Sequence, residues 1–72
     1  MKACYKITLE NGVWYDVYSE INNTEEFLMD LFSSPEVIQV FKVKDKSLCS
    51  NTDHVAFKPS KVCSVEWKGV SK

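Results

Sequence analysis

The sequence contains no arginine; all nine of its basic residues are lysines. Arginine's planar fork reads phosphates and guanine edges bidentately. A nucleic-acid binder built on that contact is therefore excluded, and one built on lysine point charges stays open. Glycine and proline are scarce, at two each, which excludes a collagen-like, linker-like or low-complexity chain. With Gly12 and Gly69 so far apart, no glycine-rich phosphate loop exists either. The three cysteines, Cys4, Cys49 and Cys63, are an odd number with no close pair. A secreted disulfide scaffold needs an even and denser set, so three reduced thiols acting as small apolar residues are expected. No apolar run approaches the roughly 18 residues of a membrane span. The alternating N-terminal segment also lacks the apolar block of a signal peptide. A soluble, cytoplasmic chain without membrane contact is expected.

What is present suits a small globular fold. The 72 residues are 44% hydrophobic and 26% charged, enough for one core over residues 1–72 and too few for a second domain. A domain of this size buries only about 60% of the surface its unfolded chain exposes. Residues 3–10 alternate, with Tyr5, Ile7 and Leu9 on one face and Cys4, Lys6 and Thr8 on the other, which predicts a strand. Val13–Ser19 alternates likewise, Val13, Tyr15 and Val17 against Trp14, Asp16 and Tyr18.

Asn11-Gly12 between them favours a tight hairpin, and the side-chain pattern selects its register. A two-residue loop pairs Glu10 with Val13 and mixes polar with apolar side chains on both faces. A three-residue loop pairs Leu9 with Val13, collects every apolar residue on one face and sets Lys6 opposite Asp16. The second register is expected, with a type I turn and Gly12 left-handed in a bulge.

A helix follows. Asn22-Asn23-Thr24 offers caps, and Asn23 with Glu26 three residues on resembles a capping box. Glu25 and Glu26 suit the first turn, where the backbone dipoles favour anions. Phe27, Leu28, Leu31 and Phe32 form an apolar stripe, and Ser33-Ser34-Pro35 ends the helix. Residues 37–44 predict a third strand, apolar on both faces in its first half as an interior strand would be. Residues 45–53 read as a polar loop, His54–Lys58 as a fourth strand and Cys63–Trp67 as a fifth. No internal repeat is visible. The fold class is therefore α+β: a five-stranded antiparallel sheet curled into a small half-barrel or barrel, with one short helix after the first hairpin.

The stretch Val55-Ala56-Phe57-Lys58-Pro59-Ser60-Lys61-Val62 resembles the end of a Src-homology-type small barrel. In that family a strand runs into a Pro-Ser turn, one tight helical turn follows, and a last strand closes the barrel. The resemblance is confined to this stretch. The Ala-Leu-Tyr-Asp-Tyr opening and the adjacent tryptophan pair are absent, and a helix stands where that family has a hairpin. It implies local fold and no proline-peptide binding.

Little of the sequence points to catalysis. Asp53 and His54 are neighbours, and in a strand neighbours point to opposite faces. A cysteine nucleophile would need His54 brought to it in space, and no signature surrounds Cys4, Cys49 or Cys63. Glu25 and Glu26 splay apart on a helix. A zinc site would draw on Cys4, Cys49, His54 and Cys63 without the close pairs that preorganise such sites. No enzyme, metal or cofactor is expected.

Charge is distributed more tellingly than its sum of −1. From Glu10 to Glu36 the chain carries seven acids and no lysine; from Val37 onward it carries seven lysines against three acids. The acidic stretch is either a solvated helix beside basic strands or a docking face. Trp14 and Tyr18, gathered around the Lys6–Asp16 pair, are either interface aromatics or the far wall of a closed barrel. The expected function is a non-enzymatic protein–protein interaction module that docks on a partner's basic surface. Trp14, Asp16, Tyr18, Glu20, Glu25, Glu26 and Asp30 are its candidate contacts. Lysine and asparagine codons are AT-rich, and a tiny chain of this composition suits a phage or mobile-element inhibitor of a host protein. The alternative is a nucleic-acid-binding small β-barrel using Lys42, Lys44, Lys46, Lys58 and Lys61 with Phe41 or Phe57. A homodimer is compatible with either.

Overall fold

The structure, a computed structural model, describes residues 2–46 and 53–71. Its elements run β1 (Lys2–Leu9), β2 (Trp14–Ser19), α1 (Thr24–Phe32), β3 (Gln39–Lys46), β4 (His54–Phe57), a 3-10 turn (Pro59–Lys61) and β5 (Val62–Ser71). This is the expected α+β order. The five strands form one antiparallel sheet in the order β4-β3-β2-β1-β5. β4 and β5 are its two edges, so the sheet is open, as a half-barrel is, and the closed-barrel alternative is set aside.

The first hairpin adopts the register that the side-chain pattern selects. Lys6 pairs with Asp16, Ile7 with Tyr15 and Thr8 with Trp14. The Leu9 amide donates to the Val13 carbonyl at 2.8 Å, and the Gly12 amide donates to the Leu9 carbonyl at 3.0 Å. Gly12 has φ +86°, the left-handed conformation the bulge requires. The Asn11 side chain accepts from the Val13 amide at 3.0 Å and holds the turn.

Register places Tyr5, Ile7, Leu9, Tyr15 and Val17 on one face of the sheet, and α1 lies on that face. Asn23 caps the helix, its side-chain oxygen accepting from the Glu26 amide at 3.1 Å. Phe27 and Leu31 are buried with Ala3, Tyr5, Ile7, Val17 and Phe57 in the core. Tyr5 and Phe27 stack with ring centroids 3.8 Å apart and planes 7° from parallel. The Tyr5 hydroxyl donates to the Ile21 carbonyl at 2.7 Å, anchoring the link into the helix.

The described segments depart from the sequence expectations by one residue at the bounds of β1 and at the start of β2, and further in β3, the helix stripe, β5 and β4. β3 begins at Gln39 and runs to Lys46. The Val37 amide turns back to the Ser34 carbonyl at 3.1 Å, and pairing with β2 draws in Asp45 and Lys46 opposite Asp16 and Tyr15. β3 does lie between two strands, yet only one of its faces is covered: Val40 is 63% exposed. The helix stripe is narrower than Phe27, Leu28, Leu31 and Phe32 suggest. Leu28 is half-buried and Phe32 is 40% exposed, because Phe27 and Leu31, four residues apart, already fill the contact with the sheet. β5 extends to Ser71, since β1 offers partners as far as Lys2. The irregular pairing near Gly69, with φ +97°, hides this length from period-two alternation. β4 stops at Phe57, one residue short of Lys58, where the chain enters the proline turn. The chain there runs strand, Pro-Ser turn, 3-10 turn and strand, and the last strand is an edge of the open sheet. The polar loop expected over 45–53 falls, from residue 47 to 52, outside the described residues.

Two outcomes test this account. An added Cβ at Gly12 meets nothing within 4 Å, so Gly12→Ala isolates conformational strain and should cost about 1 kcal/mol in denaturant unfolding. An unchanged midpoint would contradict the bulged register. Burial, with a smaller contribution from Glu26, raises the Tyr5 hydroxyl above the ordinary tyrosine value. The folded state thus holds this proton more tightly than the unfolded state. The corresponding stability is present below about pH 10 and is lost as pH rises through the higher folded value. Tyr5→Phe should cost about 1 kcal/mol at neutral pH through the lost hydrogen bond, and its stability should fall less steeply above about pH 10. Parallel curves for parent and variant would refute the assignment.

Candidate functional site

The candidate contacts fall on two surfaces that the sheet separates. Trp14, Asp16 and Tyr18 alternate with Tyr15 and Val17 and share the face opposite α1. Glu25, Glu26 and Asp30 are exposed on the helix, on the other side. Strand alternation causes the division: a strand that sends Val17 beneath the helix must send Asp16 and Tyr18 away from it. Glu20 lies at the exposed bend after β2, where its carboxylate meets the Lys2 ammonium at 3.1 Å. Both groups are well solvated, so this pair contributes little.

On the face opposite the helix, charged residues form a row across three pairings. Glu66 of β5 lies across from Lys6, Lys6 from Asp16, and Asp16 from Asp45 of β3. The Lys6 ammonium sits over the Trp14 ring, 5.0 Å from its centroid, a contact worth about 0.5–1 kcal/mol where water reaches it. One carboxylate oxygen of Asp16, Oδ1, is buried without a hydrogen-bond partner. Trp14 and Tyr18 are half-buried, so neither is an open aromatic plate. Cys4, paired with Tyr18 on this face, is buried, whereas Cys63 on β5 is exposed. Both are free thiols, and Cys49 lies outside the described residues. Among the described residues no three histidine, cysteine or acidic side chains gather as a metal site would.

The lysines of the alternative reading are also dispersed. Lys42 pairs across from exposed His54, Lys44 lies at the irregular pairing between β2 and β3, and Lys46 pairs with Tyr15. Lys58 precedes the proline turn, Lys61 ends it, and with Leu9, Glu10, Asn11 and Phe57 they line a cleft of about 270 Å³. Lys58 also approaches Glu36 at 3.9 Å. The aromatics assigned to base stacking are committed elsewhere. Phe57 is buried, and Phe41 packs between Phe57 and Phe27 with centroid separations of 5.6 and 5.9 Å. Base stacking needs a free ring face, so Phe57 in particular is withdrawn from that role.

Sequence reasoning missed the exposed apolar residues around the helix. Met29 is 75% exposed at mid-helix, with Phe32 three residues on, and Val37 and Ile38 are exposed before β3. The available signal was the position of Met29 on the same helix side as Glu25, four residues earlier.

Comparison with protein-family models, with curated proteins and with solved structures found no match to this chain.

The thiol placement is directly testable. Under native conditions an alkylating reagent should modify Cys63 and spare Cys4; after denaturation all three cysteines should react. Peptide mapping that finds Cys4 labelled as fast as Cys63 in the folded protein would contradict its burial.

Proposed function

We propose that the chain is a small protein-binding module, not an enzyme, that docks through the outer face of α1 on a partner surface carrying basic and apolar groups. The observation that carries this reading is the exposure of Met29 and Phe32 on the helix that presents Glu25, Glu26 and Asp30. The helix has two acids in its first turn and no basic residue in its last, so its field is one-signed along its length. Carboxylates of this kind steer a basic partner and raise the association rate, while desolvated apolar side chains supply most of the affinity. This reading takes its contacts from the helix alone. Trp14, Asp16 and Tyr18 lie on the far side of the sheet, and Glu20 lies at the bend after β2, ahead of the helix. An inhibitor of a host protein, encoded by a phage or mobile element, is the setting that an arginine-free, lysine-rich chain suits.

The test is a matched set of variants used to capture partners from a nuclease-treated lysate of the native host. The combined variant Glu25→Gln, Glu26→Gln, Asp30→Asn should fold, losing a few tenths of a kcal/mol at the first turn. Its association with the captured protein should slow about tenfold at low salt and lose its salt sensitivity. Met29→Ser should instead speed dissociation. Lys42→Gln with Lys44→Gln should change neither. If the acid-neutralised variant associates as fast as the parent, the helix is only a solvated face. If binding disappears with nuclease and falls steeply with salt, the lysine-rich strands carry a nucleic-acid function instead.

A further inference from the structure

β5 is a ten-residue edge strand that bonds to β1 alone. The direction of its main-chain groups follows from the hairpin. The Leu9 amide bonds to the Val13 carbonyl, so Leu9, Ile7 and Tyr5 aim their backbone groups at β2, and Lys6 and Thr8 aim theirs at β5. Register sets Glu66 across from Lys6 and Ser64 across from Thr8. Ser64 and Glu66 therefore bond inward, and the amide and carbonyl of Val65 and of Trp67 point off the sheet. Trp67 is 43% exposed at this edge and leans edge-on against Tyr5 at 5.3 Å.

We propose that this edge is a self-association surface on which β5 of a second copy of this chain pairs antiparallel, with the two-fold axis through Trp67. Three features fit that register together. Trp67 facing Trp67 of the second copy exchanges two outward N–H···O=C bonds, the hydrogen-bonded type of antiparallel pair. Glu66 then lies across from Lys68 of the second copy, and Lys68 across from its Glu66, giving two opposite-charge pairs by symmetry. The two tryptophans also become neighbours on the helix side of the joined sheet, covering apolar surface that one copy leaves half open. Moving the axis by one residue sets Glu66 against Glu66 or Lys68 against Lys68, so charge specifies the register. An edge lysine and a distorted pairing at Gly69 are the usual means by which proteins keep sheet edges apart. Here the lysine meets a carboxylate, and the distortion at Gly69 faces Val65 of the second copy, two residues from the axis. This surface is distinct from the outer face of α1 and can coexist with a partner docked there.

The experiment is sedimentation equilibrium of the full chain from about 10 µM to about 1 mM, a range that reports weak as well as tight dimers. The parent is expected to reach twice the monomer mass. Glu66→Lys alone and Lys68→Glu alone each bring like charges together twice and should weaken the dimer at least about tenfold. Mixed with each other, the two variants restore both opposite-charge pairs and should reform a heterodimer. Val65→Pro removes an outward N–H that the parent sheet does not use, and it too should yield monomer. Near-UV circular dichroism confirms that each variant is folded, and Val65→Pro decides the matter if a charge variant is not. A parent that stays monomeric throughout overturns the proposal. So do single charge variants that dimerise like the parent, or a mixture that fails to reassociate. A monomeric parent that instead takes up extended peptides of other sequence also overturns it.

Discussion

The Tyr5–Phe27 stack is the contact on which the remaining architecture depends. Tyr5 lies on β1, the middle of the β2-β1-β5 ladder, and Phe27 is the helix residue nearest the capped N-terminus that is buried. Contacts spread from this pair in both directions: Trp67 of β5 against Tyr5, then Phe41 of β3 against Phe27, then Phe57 of β4 against Phe41. A single run of aromatic rings thus joins both edges of the sheet through the helix. An edge-on ring pair such as Trp67 on Tyr5 adds about 0.5–1.5 kcal/mol beyond area burial. The Tyr5 hydroxyl needs a partner in this dry setting, and the Ile21 carbonyl provides it. A nine-residue helix would be unstable alone; here it is held by what Phe27 and Leu31 bury.

One helix can cover only one face of a sheet, and that limit shapes the surface. Its consequence is the charged row of Glu66, Lys6, Asp16 and Asp45 on the opposite face, with Trp14 beneath the Lys6 ammonium. The aliphatic stem of lysine can lie along an aromatic ring while its head stays in water. Trp14 is thereby partly shielded without a second layer of structure, and Cys4 is buried between strands on a face with no helix over it.

The recorded ion pairs among the described residues, Lys2 with Glu20 and Lys58 with Glu36, both join the acidic stretch to lysines outside it. The three exposed carboxylates of the helix take no part in these pairs. An unpaired, one-signed helix next to exposed Met29 and Phe32 is the feature that the proposed docking role rests on. The proposed self-pairing rests instead on a strand whose charges alternate in sign at the edge.

Local chemistry was legible in the sequence wherever one interaction dominated. The hairpin register followed from Tyr5, Ile7, Leu9, Val13, Tyr15 and Val17 sharing a face, since a slip of one residue would have exposed them all. The helix start followed from Asn23 and Glu26, because a cap is a contact between residues three apart. The solvent-facing positions of Glu25, Glu26 and Asp30 followed from helical geometry. Only tertiary structure decided the rest, because it depends on pairings distant in sequence. The length of β5 was set by β1, sixty residues earlier. The start of β3 was set by where β2 and β4 offered partners. Phe41 and Phe57 were committed to the core by the helix residue Phe27 and by each other, not by their own sequence neighbours. The division of the candidate contacts had the same origin: Asp16 and Glu26 belong to one acidic stretch in sequence, and the sheet that stands between them exists only once the strands have paired.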